Sequence, residues 1–124
     1  MKVCYVAKKW GHEEIIVNRP LYCLKRLTVV PNGNACSIHF HKVKTETFVI
    51  ERGCLFLRLY NPIRTMNDKP ELKQVYELTE GAPITIEPFI PHQFYSTTGV
   101  CSFLEVSTHD DPADSYRLTE SGPI

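Results

Sequence analysis

Apolar and β-branched residues recur along the chain in short alternating runs, and no segment sustains a helical repeat of apolar positions over three turns. Runs at 14–17, 22–30, 35–42, 47–50, 54–60, 73–78, 84–86, 92–96 and 101–107 are rich in Val, Ile, Thr, Phe and Tyr and are the predicted strands. Turn signals separate them: Pro31-Asn32-Gly33-Asn34, Arg52-Gly53, Glu80-Gly81 and Thr98-Gly99. Strands at this spacing predict a nearly all-β sandwich or barrel. Residues 61–71 are polar, carry Pro62 and Pro70, and are predicted to form a hairpin loop near an opening. The residues from Glu120 onward, with Gly122 and Pro123, read as a frayed tail.

A chain of 124 residues holds one hydrophobic core, so 1–124 is a single domain with its core over about 9–118 and a tail at 119–124. Hydrophobic residues at 43% and charged residues at 23% match soluble globular domains and exclude a disordered chain. Fourteen Lys and Arg balance fourteen Asp and Glu with no basic run, which argues against nucleic acid as a partner. No apolar stretch approaches the ~20 residues that cross a bilayer, and the amino terminus lacks a signal-peptide pattern, so the expected location is the cytoplasm. The five cysteines, at positions 4, 23, 36, 54 and 101, form no Cys-x-x-Cys pair. They predict neither a disulfide framework nor a thiolate zinc site, and Cys36, Cys54 and Cys101 read as small hydrophobes within strands.

Candidate chemistry enters with His39 and His41, which alternate within Ser37-Ile38-His39-Phe40-His41 and so project from one face of a strand. Alone, the pair reads equally well as two hydrogen-bonded structural residues. Glu46 follows after a gap that allows a short bend, and His92 comes from a distant strand end after Pro91. Three imidazoles and a carboxylate suit one divalent ion of Zn, Mn, Fe, Co or Ni and leave positions for water or substrate oxygens. His12 and His109 read as structural.

The framing Gly33-x5-His39-x-His41-x4-Glu46-x6-Gly53 resembles the first motif of the cupin superfamily at every fixed position. The second cupin motif, Gly-x5-Pro-x-Gly-x2-His-x3-Asn, is matched at Gly81 and His92, while Glu87, Phe89 and Ser96 replace its Pro, Gly and Asn. Pro88 and Pro91 stiffen that turn. The resemblance implies a jelly-roll β-barrel of two packed antiparallel sheets, with one divalent metal ion on His39, His41, Glu46 and His92.

Two shorter likenesses narrow the expected chemistry. Lys9-Trp10-Gly11-His12-Glu13 looks like the entry strand of cupin mannose-6-phosphate isomerases, and the segment from Glu105-Val106-Ser107 to Arg117 resembles the carboxyl-terminal part of cupin D-lyxose isomerases. The second likeness implies that Glu105 faces the metal, and alternation puts Cys101, Phe103, Glu105 and Ser107 on one strand face. The expectation is an aldose–ketose isomerase acting on a sugar or sugar phosphate, with Glu105 as base and the metal as Lewis acid. An Fe-dependent dioxygenase and a non-catalytic metal or small-ligand binding cupin are the alternatives.

Lys44 is a candidate for binding substrate oxygens, although a lysine near a bend is expected to be exposed. Arg58 and Tyr60 share a strand face and either anchor a polyol or phosphate or point to solvent. Asp110, Asp111, Asp114 and Arg117 are expected to cap the barrel mouth through a salt bridge. Trp10 reads as core or dimer interface, and strands around Ile15, Ile16 and Val17 are expected to pair in a homodimer.

Overall fold

The computed structural model describes residues 3–65 and 67–124. Its strands are β1 (Cys4–Lys8), β2 (Gly11–Asn18), β3 (Cys23–Val29), β4 (Asn34–Ala35), β5 (His39–Phe40), β6 (Glu46–Arg52) and β7 (Leu55–Tyr60). They continue as β8 (Leu72–Leu78), β9 (Pro83–Ile86), β10 (His92–Tyr95), β11 (Cys101–Ser107), β12 (Tyr116–Arg117) and β13 (Gly122–Pro123). One 3-10 turn, Pro112–Asp114, precedes β12. A six-stranded sheet runs β1-β2-β3-β11-β6-β9, a five-stranded sheet runs β12-β5-β10-β7-β8, and β13 pairs with β4. Every pairing is antiparallel, giving the jelly roll that the two motifs imply.

Strict alternation builds the interior. Leu27 and Val29 of β3, Phe48 and Ile50 of β6, and Cys101 and Phe103 of β11 all point inward. Phe94 of the opposite sheet meets Phe103 at 5.3 Å and Trp10 at 4.9 Å between ring centroids, both edge-on. Burying each such ring contributes about 1.5–3 kcal/mol.

Toward one end of the barrel the same inward positions become polar. Phe103 pairs with Leu27, but two residues on Glu105 pairs with Lys25, and Ser107 pairs with Glu46. The register therefore gathers an apolar floor below and a charged chamber above.

Several elements differ from the sequence reading. The strand expected over 35–42 is broken: β4 pairs with β13, whereas β5 pairs with β10 and β12, so the chain changes partners between Cys36 and Ile38. β1 escapes periodicity because it is an edge strand with little burial contrast, and β12 and β13 are too short to show a period. The carboxyl terminus is not frayed. Gly122 pairs with Ala35, Pro123 with Asn34, and the Ile124 N–H donates to the Gly33 carbonyl over 2.9 Å.

β7 and β8 pair as a hairpin, and the Asn61 N–H donates to Glu71 O over 2.8 Å across the ends of the connection between them. That loop buries Ile63 and, among its described residues, lines none of the interior cavity. Cys54 lies in the turn before β7, with its thiol 3.7 Å from Glu77, while Cys23, Cys36 and Cys101 are buried and all five thiols are free. β2 is hydrogen-bonded to β1 and β3, so Ile15, Ile16 and Val17 have no free edge and the open edge belongs to β1. No helix is long and apolar enough to cross a membrane among the described residues.

Lys9 and Trp10 form the turn between β1 and β2, and Gly11 opens β2. Gly11 has φ +147°, and a Cβ there would lie 1.9 Å from the Thr28 carbonyl oxygen, so only glycine fits. Trp10 is thereby fixed in the core, 3% exposed.

Candidate metal centre

His39 begins β5 and His41 follows it, with Phe40 between them turned to the other face and stacked on Tyr116 at 5.2 Å. His92, at the start of β10, is the direct partner of His39. Glu46 enters from the opposite sheet as the first residue of β6. One site is thus assembled from both sheets. The bend between His41 and Glu46 is held by Asp114, whose carboxylate accepts the N–H groups of Lys42, Val43 and Lys44 at 2.8, 3.2 and 3.0 Å.

Each imidazole is oriented through Nδ1. The His39, His41 and His92 Nδ1 atoms lie 2.8, 2.7 and 3.0 Å from the carbonyls of Ser37, Asp114 and Ile90. A carbonyl only accepts, so Nδ1 carries a proton and Nε2 is the nitrogen turned toward the cluster. Burial, then the neighbouring His92 and His41, push His39 well below the usual imidazole range and keep it neutral. Burial alone would raise the Glu46 carboxyl, but His92, His41 and Lys44 outweigh it and hold the group well below the usual carboxylate range.

The four side chains fit a divalent metal ion. Their donor atoms lie within 4.8 Å of one another, comparable with the span of about 4.2 Å open to donors about 2.1 Å from a common ion. His92 Nε2 and Glu46 Oε1 are 2.7 Å apart, and His41 Nε2 is 3.6 Å from the same oxygen. Yet His41 Nε2, Glu46 Oε1 and His92 Nε2 are buried with no hydrogen bond among the described residues. Such orphaned atoms are costly without a ligand, and pinned Nδ1 with free Nε2 is the arrangement of metal-binding histidines.

Beside them opens a cavity of about 430 Å³, walled by His39, His41 and Glu46 and floored by Trp10, Phe48 and Phe94. Glu105 lines it, facing inward as alternation predicts. Lys44 lines it too, and here the expectation of exposure is overturned: it is 4% exposed because three carboxylates surround its ammonium. Lys44 Nζ lies 2.9 Å from Glu105, 2.8 Å from Asp110 and 3.3 Å from the second oxygen of Glu46. Burial disfavours its charge, but Glu105, Glu46 and Asp110 outweigh that and raise its pKa. Lys25 completes the network, 3.0 Å from Asp110 and 3.9 Å from Glu13. The Glu105 carboxyl is pushed up by burial and then by Glu46.

Sequence reasoning misses Lys25 and Glu13 as members of this network and assigns Asp110 to a salt bridge at the barrel mouth instead. A signal for Lys25 exists: it interrupts the alternation Cys23, Leu27, Val29 at an inward position. Asp110 follows the strand in an acidic loop, so the sequence does not show that it turns to the two lysines.

Arg58 and Tyr60 do not reach this chamber. Leu57 and Leu59 occupy the inward positions of β7, so Arg58 lies on the other face, where it and the buried Tyr60 both donate to Gln93 Oε1, at 3.1 and 3.2 Å. Arg58 also stacks 4.7 Å over Tyr95, which removes both residues from the expected substrate-binding role. The expected salt bridge at the mouth is also absent among the described residues: Asp110 turns to the lysines, Asp114 to backbone, and Arg117 to neither. His12 lies 3.6 Å from Glu14, and His109 Nδ1 donates to the Arg19 carbonyl, both away from the cluster.

No protein-family model matches the chain, and no curated protein matches it in sequence. Solved structures do resemble it. The capsular polysaccharide assembling protein CapF from Staphylococcus aureus superposes with TM-score 0.77 at 18% identity, over 96% of this chain and 32% of its own. The oxalate decarboxylase of Lactobacillus farciminis, as a formate complex, gives TM-score 0.73 at 15% identity over 94% and 34%. KdgF from Halomonas sp. gives 0.70 at 9% identity over 91% and 92%. The chain thus spans about a third of the first two proteins and nearly all of the third. All three are cupins, and likeness across more than nine-tenths of this chain joins the two sequence motifs and the sheet order in one conclusion: the protein has the cupin jelly-roll fold.

Proposed function

We propose that the protein is a metal-dependent isomerase that interconverts the aldose and ketose forms of a sugar or sugar phosphate. One observation carries this reading: His41 and Glu46, which hold an orphaned Nε2 and an orphaned carboxylate oxygen, line the same cavity as the buried carboxylate of Glu105. His39, His41, Glu46 and His92 would hold one divalent ion of Zn, Mn, Fe, Co or Ni. When bound, such an ion polarises adjacent carbonyl and hydroxyl oxygens of a sugar.

The chain's own residues supply the rest. Glu105 takes a proton from the carbon beside the carbonyl and returns it to the neighbouring carbon, a task suited to a carboxyl whose pKa is raised by burial. Lys44 holds Oε2 of Glu105 at 2.9 Å and fixes the direction of the carboxylate. Trp10, Phe48 and Phe94 exclude water from the floor, and a cavity of about 430 Å³ accommodates a small sugar.

The test is to load purified protein with each of the five metals and incubate it with aldopentoses and aldohexoses, free and phosphorylated. Ketose formation and oxygen uptake are followed together. Ketose is expected with at least one metal, and His41→Ala is expected to lose both metal, by elemental analysis, and turnover. Oxygen consumption without ketose would replace this reading with a dioxygenase. Ligand binding without any turnover would replace it with a binding protein.

A further inference from the structure

Most charged groups in the chamber are matched to one another. Lys44 is neutralised by Glu46, Glu105 and Asp110, and Lys25 by Asp110 and Glu13. Two cavity-lining cations, Lys8 and Arg117, form no ion pair among the described residues.

The sheet register explains where Arg117 points. In β12 it is the direct partner of His39, and directly paired residues of antiparallel strands project to the same face. The neighbouring pair Tyr116 and Phe40 stacks on the other face, as that alternation requires. Arg117 therefore shares a strand face with His39 and lines the cavity beside it, with its side chain exposed. Lys8, the last residue of β1, approaches from the other sheet. Both residues also line an adjoining cleft of about 290 Å³, together with Lys9, Glu120 and Ser121. Three cations face one carboxylate there. The wall that carries Glu120 and Ser121 is held in place by the pairing of Gly122 with Ala35.

We propose that Lys8 and Arg117 form an anion subsite, so that the molecule accepted at the metal centre carries a carboxylate or a phosphate. The inference rests on the isomerase reading for what happens to that molecule. A guanidinium presents a planar fork of N–H donors that matches either anion bidentately, and a nearby ammonium adds charge without fixing direction. A neutral sugar would leave both cations unmatched, so the subsite selects between sugars by their charge.

Isothermal titration of the metal-loaded protein with D-glucuronate, D-glucose 6-phosphate and D-glucose tests this directly. At least one of the two acids is expected to bind tenfold or more tightly than glucose, and whichever does so identifies the anion as carboxylate or phosphate. In Arg117→Gln, with metal content unchanged, affinity for that acid should fall by about tenfold to a hundredfold while glucose binding stays constant. Raising salt should weaken the acid and spare glucose. Equal binding of glucose and both acids, no binding of either acid, or an Arg117→Gln protein that retains the full preference would each overturn the subsite. Where Arg117→Gln loses metal or fold, Lys8→Gln on the edge strand decides: a preference reduced severalfold supports the subsite and an unchanged one overturns it. Turnover of neutral aldoses without charge preference would sink the subsite and leave the isomerase standing. Selective acid binding with no sugar turned over would sink the isomerase and leave the subsite.

Discussion

The Phe89 N–H donates to the His41 carbonyl over 2.7 Å, tying the turn that delivers His92 to the strand end that delivers His41. Phe89 does so with φ +68°, the left-handed conformation that favours glycine, at the position where the second cupin motif carries glycine. Its ring stacks on Phe40 at 6.2 Å, and such a pair contributes about 0.5–1.5 kcal/mol beyond its buried area. The aromatic contact offsets the backbone cost. Phe89→Ala keeps the cost and loses the ring, whereas Phe89→Gly loses both. In urea unfolding, the glycine variant is expected to be more stable than the alanine variant by about 0.5–1 kcal/mol. The reverse order would show that the turn is unstrained.

Gly11 is constrained by contact as well as by φ. Because an added Cβ would meet the Thr28 carbonyl oxygen at 1.9 Å, Gly11→Ala forces β2 and β3 apart where Trp10 enters the core. A loss of about 3 kcal/mol is expected. Gly33→Ala is the control. Its φ is +81° with nothing near the added carbon, so it should lose only about 1 kcal/mol. Equal losses in thermal unfolding would mean that β2 and β3 adapt freely.

The cluster of His39, His41, Glu46 and His92 was legible in the sequence because period-two alternation and motif spacing both act locally on His39, His41 and Glu46, and Gly81 supplies the register for His92. The partners of Lys44 were not legible. Asp110 lies 66 residues away, and only the pairing of β11 with both β3 and β6 brings it over the chamber. Arg58 misled for a related reason. Alternation shows that Arg58 and Tyr60 share a face, but which face looks inward is decided by the opposite sheet. The carboxyl-terminal strand was hidden because a two-residue pairing containing Gly122 and Pro123 carries the composition of a loose end.

Lys44 and its three carboxylates make a specific expectation about stability. Removing one member of a buried ionic cluster leaves the others uncompensated and costs about 3–5 kcal/mol, whereas removing matched members together is far less costly. Lys44→Met should therefore be strongly destabilised, since Glu46 and Glu105 lose their nearest cation. The double variant Lys44→Met with Glu105→Leu should exceed Lys44→Met alone by at least about 1 kcal/mol in denaturant unfolding of metal-free protein. Additive losses would show that the two residues do not share their energy.

The pH dependence follows from the sign of the Glu105 shift. Burial raises its pKa, Glu46 raises it further, and Lys44 and Lys25 lower it, leaving it above the ordinary carboxylate value. A base works only when ionised, so activity should fall as pH drops through that raised value, and the acidic limb of kcat/KM should lie above the ordinary carboxylate range. Lys25→Met removes a cation that favours the ionised form, so the limb should move to still higher pH. Glu105→Gln should retain metal and lose about 10²–10⁴-fold in rate, because the amide keeps the shape without accepting a proton. Stability of the metal-free protein carries the same signature. Between the unfolded and folded pKa values the unfolded chain has released a proton that the folded chain retains, so stability falls as pH rises through that window. Glu105→Gln should remove this contribution to the slope. An acidic limb that does not move in Lys25→Met, together with parental turnover in Glu105→Gln, would assign the proton transfer to another group.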